Sequence, residues 1–190
     1  MGRDGGLRGD NLVMERRRSS PRALSQRELD EIERRAHGAS PMPWTLASDL
    51  ERGDFIIAGP EGQYQFQVKR DFAPASTEDL EFIAHARQDV PRLVDAIRTR
   101  GTLSDAELDA IEARAARASE PPWVPFLEDE QPIGGSSVIW ISDDPAAPDM
   151  YIWLGPVIAP REDVAFIANA RQDVPALVTE ARRRWRGQRH

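Results

Sequence analysis

A ten-residue segment that occurs twice indicates that this 190-residue chain is built from a duplicated unit. The segment reads Phe-Ile-Ala-His-Ala-Arg-Gln-Asp-Val-Pro at positions 82–91, and it returns at 166–175 with a single change, histidine to asparagine. Nearer the start of each copy, residues 24–44 align with residues 103–123 at 13 of 21 identical positions. Two copies of one unit predict two halves that fold alike.

Charge and composition divide the chain into a folded body and two basic tails. We place the first repeat unit at 24–100 and the second at 103–186, with residues 101–102 as a linker. Residues 1–23 carry six arginines against three acids and have no periodic apolar pattern, so we predict a disordered basic tail there. Residues 187–190 form a second short tail.

The composition excludes several kinds of chemistry and partner. The chain has no cysteine, which rules out disulfides, thiol catalysis and cysteine-based zinc sites. The two units have net charges of −4 and −7, and a body this acidic binds nucleic-acid phosphates poorly. No stretch approaches the roughly 20 apolar residues that span a bilayer. We therefore expect a cytoplasmic protein that binds neither membranes nor, through its folded body, nucleic acid.

Each unit begins with a helix whose start is marked in the sequence. Ser25 and Glu28 have the Ser-x-x-Glu spacing of a capping box, in which each side chain satisfies a backbone amide of the other residue's turn. Ser104 and Glu107 repeat this spacing in the second unit. Apolar residues then recur at helical intervals up to a proline–tryptophan pair, which ends the helix because proline cannot continue it.

The middle of each unit has the pattern of β-strands. Residues 54–58 and 64–69 flank a Gly-Pro-Glu-Gly turn, which predicts a hairpin in the first unit. In the second unit, residues 138–141 and 150–154 are more continuously apolar and are joined by an acidic loop at 142–149. The aromatic residues of this second pair indicate a more deeply buried sheet or a part of an interface.

The last section of each unit is helical and contains the proline of the repeated segment. Pro91 and Pro175 each remove a backbone amide and clash with the preceding turn. We therefore predict that the helix breaks there, with Asp89 and Asp173 capping a following helix. Each unit then consists of helix, β-hairpin, helix and helix. The predicted fold is α+β, with two tandem units in a pseudo-two-fold arrangement, as expected of a homodimer fused into one chain.

No catalytic or metal-binding pattern stands out, so we do not predict an enzyme. The three histidines lack metal-ligand spacing, and the chain has no Gly-x-Ser-x-Gly and no phosphate-binding glycine loop before a helix. Carboxylates are so abundant that the choice of any acid–base pair is arbitrary. We expect no cofactor and no metal ion.

The candidate ligand-binding residues lie in or near the repeated segments. Arginine offers forked donors to phosphate or carboxylate, and glutamine can recognise an amide or a base. The alternative is structural: arginine and glutamine bond carbonyls at the end of a helix, and each tryptophan is a core anchor rather than a stacking surface. The sequence leaves both interpretations open. The candidates are Arg87, Gln88, Arg171, Gln172, His85, Asn169, Trp44 and Trp123.

One combination of motifs resembles a known group of proteins. A Pro-x-Pro-Trp segment follows a Leu-x-x-Ile-x-x-Arg-Ala helix, and Phe-Ile-Ala-x-Ala-Arg-Gln-Asp-Val-Pro-x-Leu-Val comes later. The combination resembles small proteins that are common in actinobacteria and their phages, and is similar to the Ead-like phage accessory proteins. The resemblance covers most of both units but carries over no catalytic residue. It implies a phage-linked, cytoplasmic, non-enzymatic accessory protein.

Two functions are consistent with these observations. The first is a binding protein that acts on a host or defence protein, steered by its acidic surface and presenting an exposed apolar patch that includes Trp140 or Trp153. The alternative is a protein that sequesters a small anionic ligand, such as a nucleotide signal, between paired arginine clusters. Arg87 and Arg171 would then face one concave, positively charged pocket. Either protein would be a monomer or a homodimer.

Overall fold

The chain folds into a helical layer packed on an antiparallel sheet, which is the predicted α+β class. The computed structural model describes residues 22–49, 53–62, 64–70, 73–99, 103–127, 138–141, 150–154 and 157–186. The helices within these ranges are α1 (Gln26–Gly38), α2 (Thr77–Thr99), α3 (Asp105–Arg117) and α4 (Arg161–Arg186). The strands are β1 (Trp44–Asp49), β2 (Gly53–Ala58), β3 (Tyr64–Arg70), β4 (Ala73–Pro74), β5 (Val124–Phe126), β6 (Val138–Trp140), β7 (Met150–Leu154) and β8 (Val157–Ile158).

The strands of the two units form one continuous sheet. Its order is β1-β2-β3-β7-β6-β5, with β4 beside β3 and β8 beside β7. The first unit supplies β1 to β4 and the second supplies β5 to β8, so the antiparallel pairing of β3 with β7 joins the two sets. At the centre of that pairing Val68 lies opposite Ile152.

Both predicted strand pairs are confirmed, and the sheet also has strands that the sequence did not indicate. Strand β2 pairs with β3, and β6 pairs with β7, each antiparallel. The additional edge strands β1 and β5 begin at and just after the two tryptophans. The proline–tryptophan pairs predicted the ends of the helices and, as one interpretation, core anchors, but not the start of a strand. The extended backbone that proline imposes nearby also suits the entry into a strand.

Both predicted capping boxes are present. The Ser25 hydroxyl accepts from the Glu28 amide at 3.3 Å, and the Glu28 carboxylate accepts from the Ser25 amide at 2.8 Å. Ser104 and Glu107 make the same two bonds at 3.2 and 2.9 Å. The local sequence was sufficient to predict both capping boxes, because every hydrogen-bond partner lies within one turn.

The predicted helix break at the prolines is wrong. Helix α2 runs without interruption through Pro91, and α4 runs through Pro175. The residues on both sides of Pro91, including Val90, Leu93 and Ile97, are buried. Fully burying such a side chain stabilises a fold by about 1.5–3 kcal/mol, so several of them outweigh the roughly 3 kcal/mol that an internal proline costs. Each unit therefore has one long helix where two were predicted.

Some sequence predictions fall on residues outside the described ranges. These are the linker at 101–102, the acidic loop at 142–149, the short tail at 187–190 and most of the basic tail at 1–23. Of that basic tail, Arg22 is described, and its guanidinium bonds the Glu28 carboxylate at 2.5 Å.

Replacing Pro91 with alanine should raise the free energy of unfolding. The substitution restores an amide to a continuous helix, and we expect a gain of about 1 kcal/mol, because the entropy that proline removes from the unfolded chain offsets part of its cost. Urea unfolding followed by circular dichroism measures the change, with Pro175→Ala as the matched variant. A loss of stability in both variants would contradict this account of the helix.

Candidate functional site

The repeated Arg-Gln-Asp segment lies where the two long helices meet. Helices α2 and α4 pack against each other, and their middle turns carry Arg87 and Arg171. Both arginines are almost fully buried, with 5% and 6% of their surface exposed. A buried guanidinium needs a partner for each donor, so its hydrogen bonds indicate its role.

Backbone carbonyls occupy donors of both guanidinium groups. Arg87 donates from Nε to the Ser40 carbonyl at 3.0 Å and from Nη2 to the Ala39 carbonyl at 3.3 Å. Arg171 donates in the same way to Ser119 at 2.8 Å and to Ala118 at 3.5 Å. Each arginine thereby ties its long helix to the segment that follows the short helix of its own unit. Burial lowers the pKa of both arginines.

The other face of each guanidinium contacts the opposite unit. Arg87 lies over the ring of Phe166, and Arg171 lies over the ring of Phe82, each at 5.8 Å from the ring centroid. A cation over an aromatic face is attracted by the ring quadrupole, more strongly when water is excluded. The arginines therefore also contribute to the contact between units.

Two buried aspartates, which the sequence analysis did not single out, complete this joint. Asp163 accepts from the Ser40 amide at 2.6 Å and from its hydroxyl at 2.7 Å. Asp79 accepts from Ser119 in the same manner, at 2.7 and 2.8 Å. Burial raises the pKa of Asp163, against the opposing effect of its bonds to Ser40 and the charge of Arg87. The sequence carries a signal for these aspartates, because Ala-Ser and Glu-Asp occur at equivalent positions of both copies.

The aspartates of the triplet do not cap a helix, because there is no helix break for them to cap. Asp89 instead accepts from Arg114 at 2.6 Å, and Asp173 accepts from Arg35 at 2.7 Å. Both are partly buried ion pairs that link the long helix of one unit to the short helix of the other. Burial raises the pKa of Asp173, although the neighbouring Arg35 acts to lower it.

The glutamines and tryptophans of the predicted set hold the same joint. Gln88 donates to the Trp44 carbonyl at 3.5 Å, and Gln172 donates to the Trp123 carbonyl at 2.9 Å. Both tryptophans are 1% exposed. Each packs edge-on against a phenylalanine of the other unit at 5.7 Å, so the interpretation of the tryptophans as core anchors is confirmed.

The two remaining candidates occupy the one position at which the repeated segments differ. His85 is exposed on α2. Asn169 is half-buried on α4, donates to the Ala165 carbonyl at 2.8 Å, and lines a cleft between α1 and α4. The arginines and tryptophans of the predicted set are therefore buried in the joint, whereas Gln88 and Asn169 are half-buried and Gln172 and His85 are exposed.

An apolar patch lies on the sheet face opposite the buried one. Trp140 is 46% exposed, and its ring stacks on Phe126 at 3.7 Å between centroids. Val124, opposite Trp140 in the β5–β6 pairing, is also exposed. We call these three residues the Trp140 patch. The sequence analysis named Trp140 as a candidate for an exposed patch, and the side chain of Trp153 lies outside the described set.

The residues that the structure describes contain neither a cluster of metal-binding side chains nor a helix that could cross a membrane. Within those ranges no group of three or more histidine, aspartate or glutamate residues could hold a metal ion. No helix there is long and apolar enough to cross a bilayer.

Comparison with known proteins gives no relative. The chain matches no protein-family model, and neither the curated proteins nor the solved structures contain a significant match.

Replacing Arg87 with methionine should lower the free energy of unfolding by about 3 kcal/mol. The change keeps most of the side-chain volume but leaves the buried carbonyls of Ala39 and Ser40 without their donor, and each unsatisfied buried group costs about 1–3 kcal/mol. Denaturation by guanidinium chloride measures the loss of stability, and Arg171→Met should lose about as much. Arg92→Met, at an exposed arginine of the same helix, is the control. If Arg87→Met were as stable as that control, the guanidinium would not be needed for the fold.

Proposed function

We propose that the protein is a non-enzymatic binding protein that docks a partner protein on the exposed face of its sheet. The observation that carries the proposal is the stacked pair of Trp140 and Phe126, with almost half of the tryptophan surface exposed. Tryptophan is enriched among the few residues that supply most of the binding energy at protein interfaces. A rigid stacked pair also loses little side-chain entropy when a partner covers it.

The patch occurs in one unit only, which argues against a purely structural role. By strand register, the positions that correspond to Val124 and Trp140 in the first unit are Thr45 and Ile57, which form the matching pair in β1 and β2. Thr45 offers a small polar surface where Val124 offers an apolar one. If the outer face served only to complete the sheet, the two units would not need to differ in this way.

The charge of the protein indicates the chemistry of the partner. The chain has a net charge of −7. An acidic protein associates faster with a basic partner because opposite charges attract, and salt weakens this attraction. We therefore propose a partner with an apolar site bordered by lysine or arginine. Given the motif resemblance, a host or defence protein bound by a phage-type accessory protein is the biological setting that we propose.

No observation favours the alternative of a nucleotide held between Arg87 and Arg171. Both arginines are buried and bond backbone carbonyls of their own unit. The tryptophans that would form a stacking wall are covered by phenylalanines. A nucleotide could reach these groups only if the joint between the units opened.

We further propose that the two units are related by a pseudo-two-fold axis, as in a homodimer fused into one chain. The pairing of β3 with β7 supports this, because Val68 lies opposite the residue 84 positions further along the chain, the same separation that relates Arg87 to Arg171. Four contacts between the units support it as well, namely the ion pairs of Asp89 and Asp173 and the bonds that Asp79 and Asp163 accept. Each of these recurs with the roles of the units exchanged, which is the property of an isologous interface.

Replacing Trp140 with serine should abolish partner capture without unfolding the protein. Met42 is exposed to the same extent, 46%, so Met42→Ser is a matched control for the loss of exposed apolar surface. We expect the wild type and Met42→Ser to capture proteins from an extract of the native cells that Trp140→Ser does not capture. With the purified partner, the dissociation constant should rise about thirtyfold, because truncating a hot-spot residue costs about 2 kcal/mol.

The same experiment can contradict the proposal. Equal capture by all three proteins would mean that the patch does not bind the partner. Binding that does not weaken as salt is raised from low to physiological concentration would remove the argument for a basic partner.

Replacing Arg35 with alanine and replacing Arg114 with alanine should destabilise the protein to a similar degree. Each arginine bonds an aspartate of the opposite unit, at 2.7 and 2.6 Å, and a hydrogen bond to a charged group contributes about 1.5–3 kcal/mol. Urea unfolding measures both changes. A large loss of stability in one variant with almost none in the other would show that the two ion pairs are not equivalent, which would contradict the pseudo-two-fold arrangement.

A further inference from the structure

Strand β1 is an edge of the sheet and has none of the features that usually block the pairing of an edge. Among the strands that the structure describes, β1 pairs with β2 alone. Proteins protect exposed edges with proline, with charged residues or with very short strands, because the unpaired amides and carbonyls attract another strand. Strand β1 has six residues, and residues 45–48 in its middle include neither a proline nor a charged residue.

The opposite edge of the sheet, β5, is protected. This strand has three residues, and Pro125 is the middle one. Leu46 is the equivalent residue of the first unit, since each follows its tryptophan at the same distance along the chain. A proline has no amide to donate, so a further strand cannot continue the ladder at that position. The same position is therefore closed at one edge of the sheet and open at the other.

The bonds between β1 and β2 show which backbone groups of β1 point away from β2. The Gly59 amide donates at 3.0 Å to the carbonyl of Pro43, the residue directly opposite in this register, so the two form a hydrogen-bonded pair. Such pairs alternate with non-bonded ones along an antiparallel ladder. The odd-numbered residues of β1 therefore bond β2, whereas Leu46 and Ser48 direct their amides and carbonyls to the open edge.

We propose that β1 pairs antiparallel with β1 of a second copy of the chain, about a two-fold axis at Ala47. In this register Leu46 of each copy lies opposite Ser48 of the other, and the two residues of such a pair exchange both backbone hydrogen bonds. The Trp44 carbonyl lies beyond the paired residues and keeps its bond to Gln88. At the axis the two Ala47 side chains meet, and they are small and uncharged, so the strand is complementary to itself.

Two features favour a second copy as the partner of this edge. The molecule already joins its two units by antiparallel pairing of one strand from each, β3 and β7. The proposed pairing is also closed, because Pro125 prevents β5 from taking the place of β1, so association ends at a dimer instead of continuing as a filament. The Trp140 patch lies at the far edge of the sheet, on β5 and β6, so both patches stay exposed in the dimer.

Sedimentation equilibrium of the full chain tests the proposal. As the protein concentration rises, the average mass should increase from 21.3 kDa towards twice that value, with a dissociation constant of about 100 μM or tighter. Salt should strengthen the dimer, because each copy has a net charge of −7 and salt screens the repulsion between the copies. A basic partner bound at the Trp140 patch should respond to salt in the opposite way, so the two surfaces can be distinguished.

Two variants of β1 address the proposed pairing directly. Leu46→Pro copies the residue found at the equivalent position of β5, removes the amide at the edge, and should remain at 21.3 kDa. Ala47→Glu places two carboxylates opposite each other at the axis and should raise the dissociation constant about fivefold or more. An equimolar mixture of Ala47→Glu and Ala47→Arg should form a dimer again, because opposite charges then meet. Gln65→Glu is the control, since it adds the same charge at an exposed residue of the same sheet face, on β3.

The proposal is overturned if the wild type remains at 21.3 kDa up to about 1 mM, because the edge then pairs with another strand or with none. It is also overturned if Leu46→Pro and Ala47→Glu both form dimers as readily as the wild type, since the copies would then meet through another surface. A mixture of Ala47→Glu and Ala47→Arg that associates no better than either variant alone would reject the axis at Ala47. If Leu46→Pro does not fold, the comparison of Ala47→Glu with Gln65→Glu decides the question.

Discussion

The packing of α2 against α4 is the contact on which the rest of the structure depends. The repeated segment is buried in both helices, and Ala84, Ala86 and their counterparts Ala168 and Ala170 are almost fully covered. The larger residues of the same segment reach further, so that each phenylalanine packs against the tryptophan of the other unit. Each unit therefore supplies part of the other unit's core, and neither core is complete alone.

This joint accounts for the polar residues that the two copies share. Arg87 and Arg171 bond carbonyls, the glutamines bond the carbonyls of the tryptophans, and the aspartates pair with arginines of the opposite unit. A buried charge without partners costs far more than an exposed one, so once these groups enter the interior they must all be satisfied together. The identity of the repeated segment is explained by this mutual dependence. Residues with a separate function are better sought where the copies differ, as they do at Trp140.

Local features were predictable and long-range ones were not. The capping boxes at Ser25 and Ser104 and the hairpin of β2 and β3 depend on partners a few residues away, and the structure has them. The helix break at Pro91 was wrong because the cost of a proline is local, whereas the burial that outweighs it comes from α4, more than 70 residues away. The position of Asp163 was missed for the same reason, since its partner Ser40 belongs to the other unit. Of the candidate residues, the sequence offered the core role of the tryptophans as one of two interpretations, but it assigned the aspartates to caps that do not exist.

The sequence by itself determined the duplication, the starts of the helices, the strand pairs, and the absence of cysteine chemistry, because these follow from composition and from contacts within a short stretch of chain. Only the tertiary structure decided that the arginines of the Arg-Gln-Asp segments are internal, that the four central strands join through β3 and β7, and that Trp140 remains exposed. The physical reason is that the direction in which a side chain points, and the partner it meets there, are set by the packing of α2, α4 and the sheet. A repeated motif has the same sequence pattern whether its side chains face solvent or pack against the other copy.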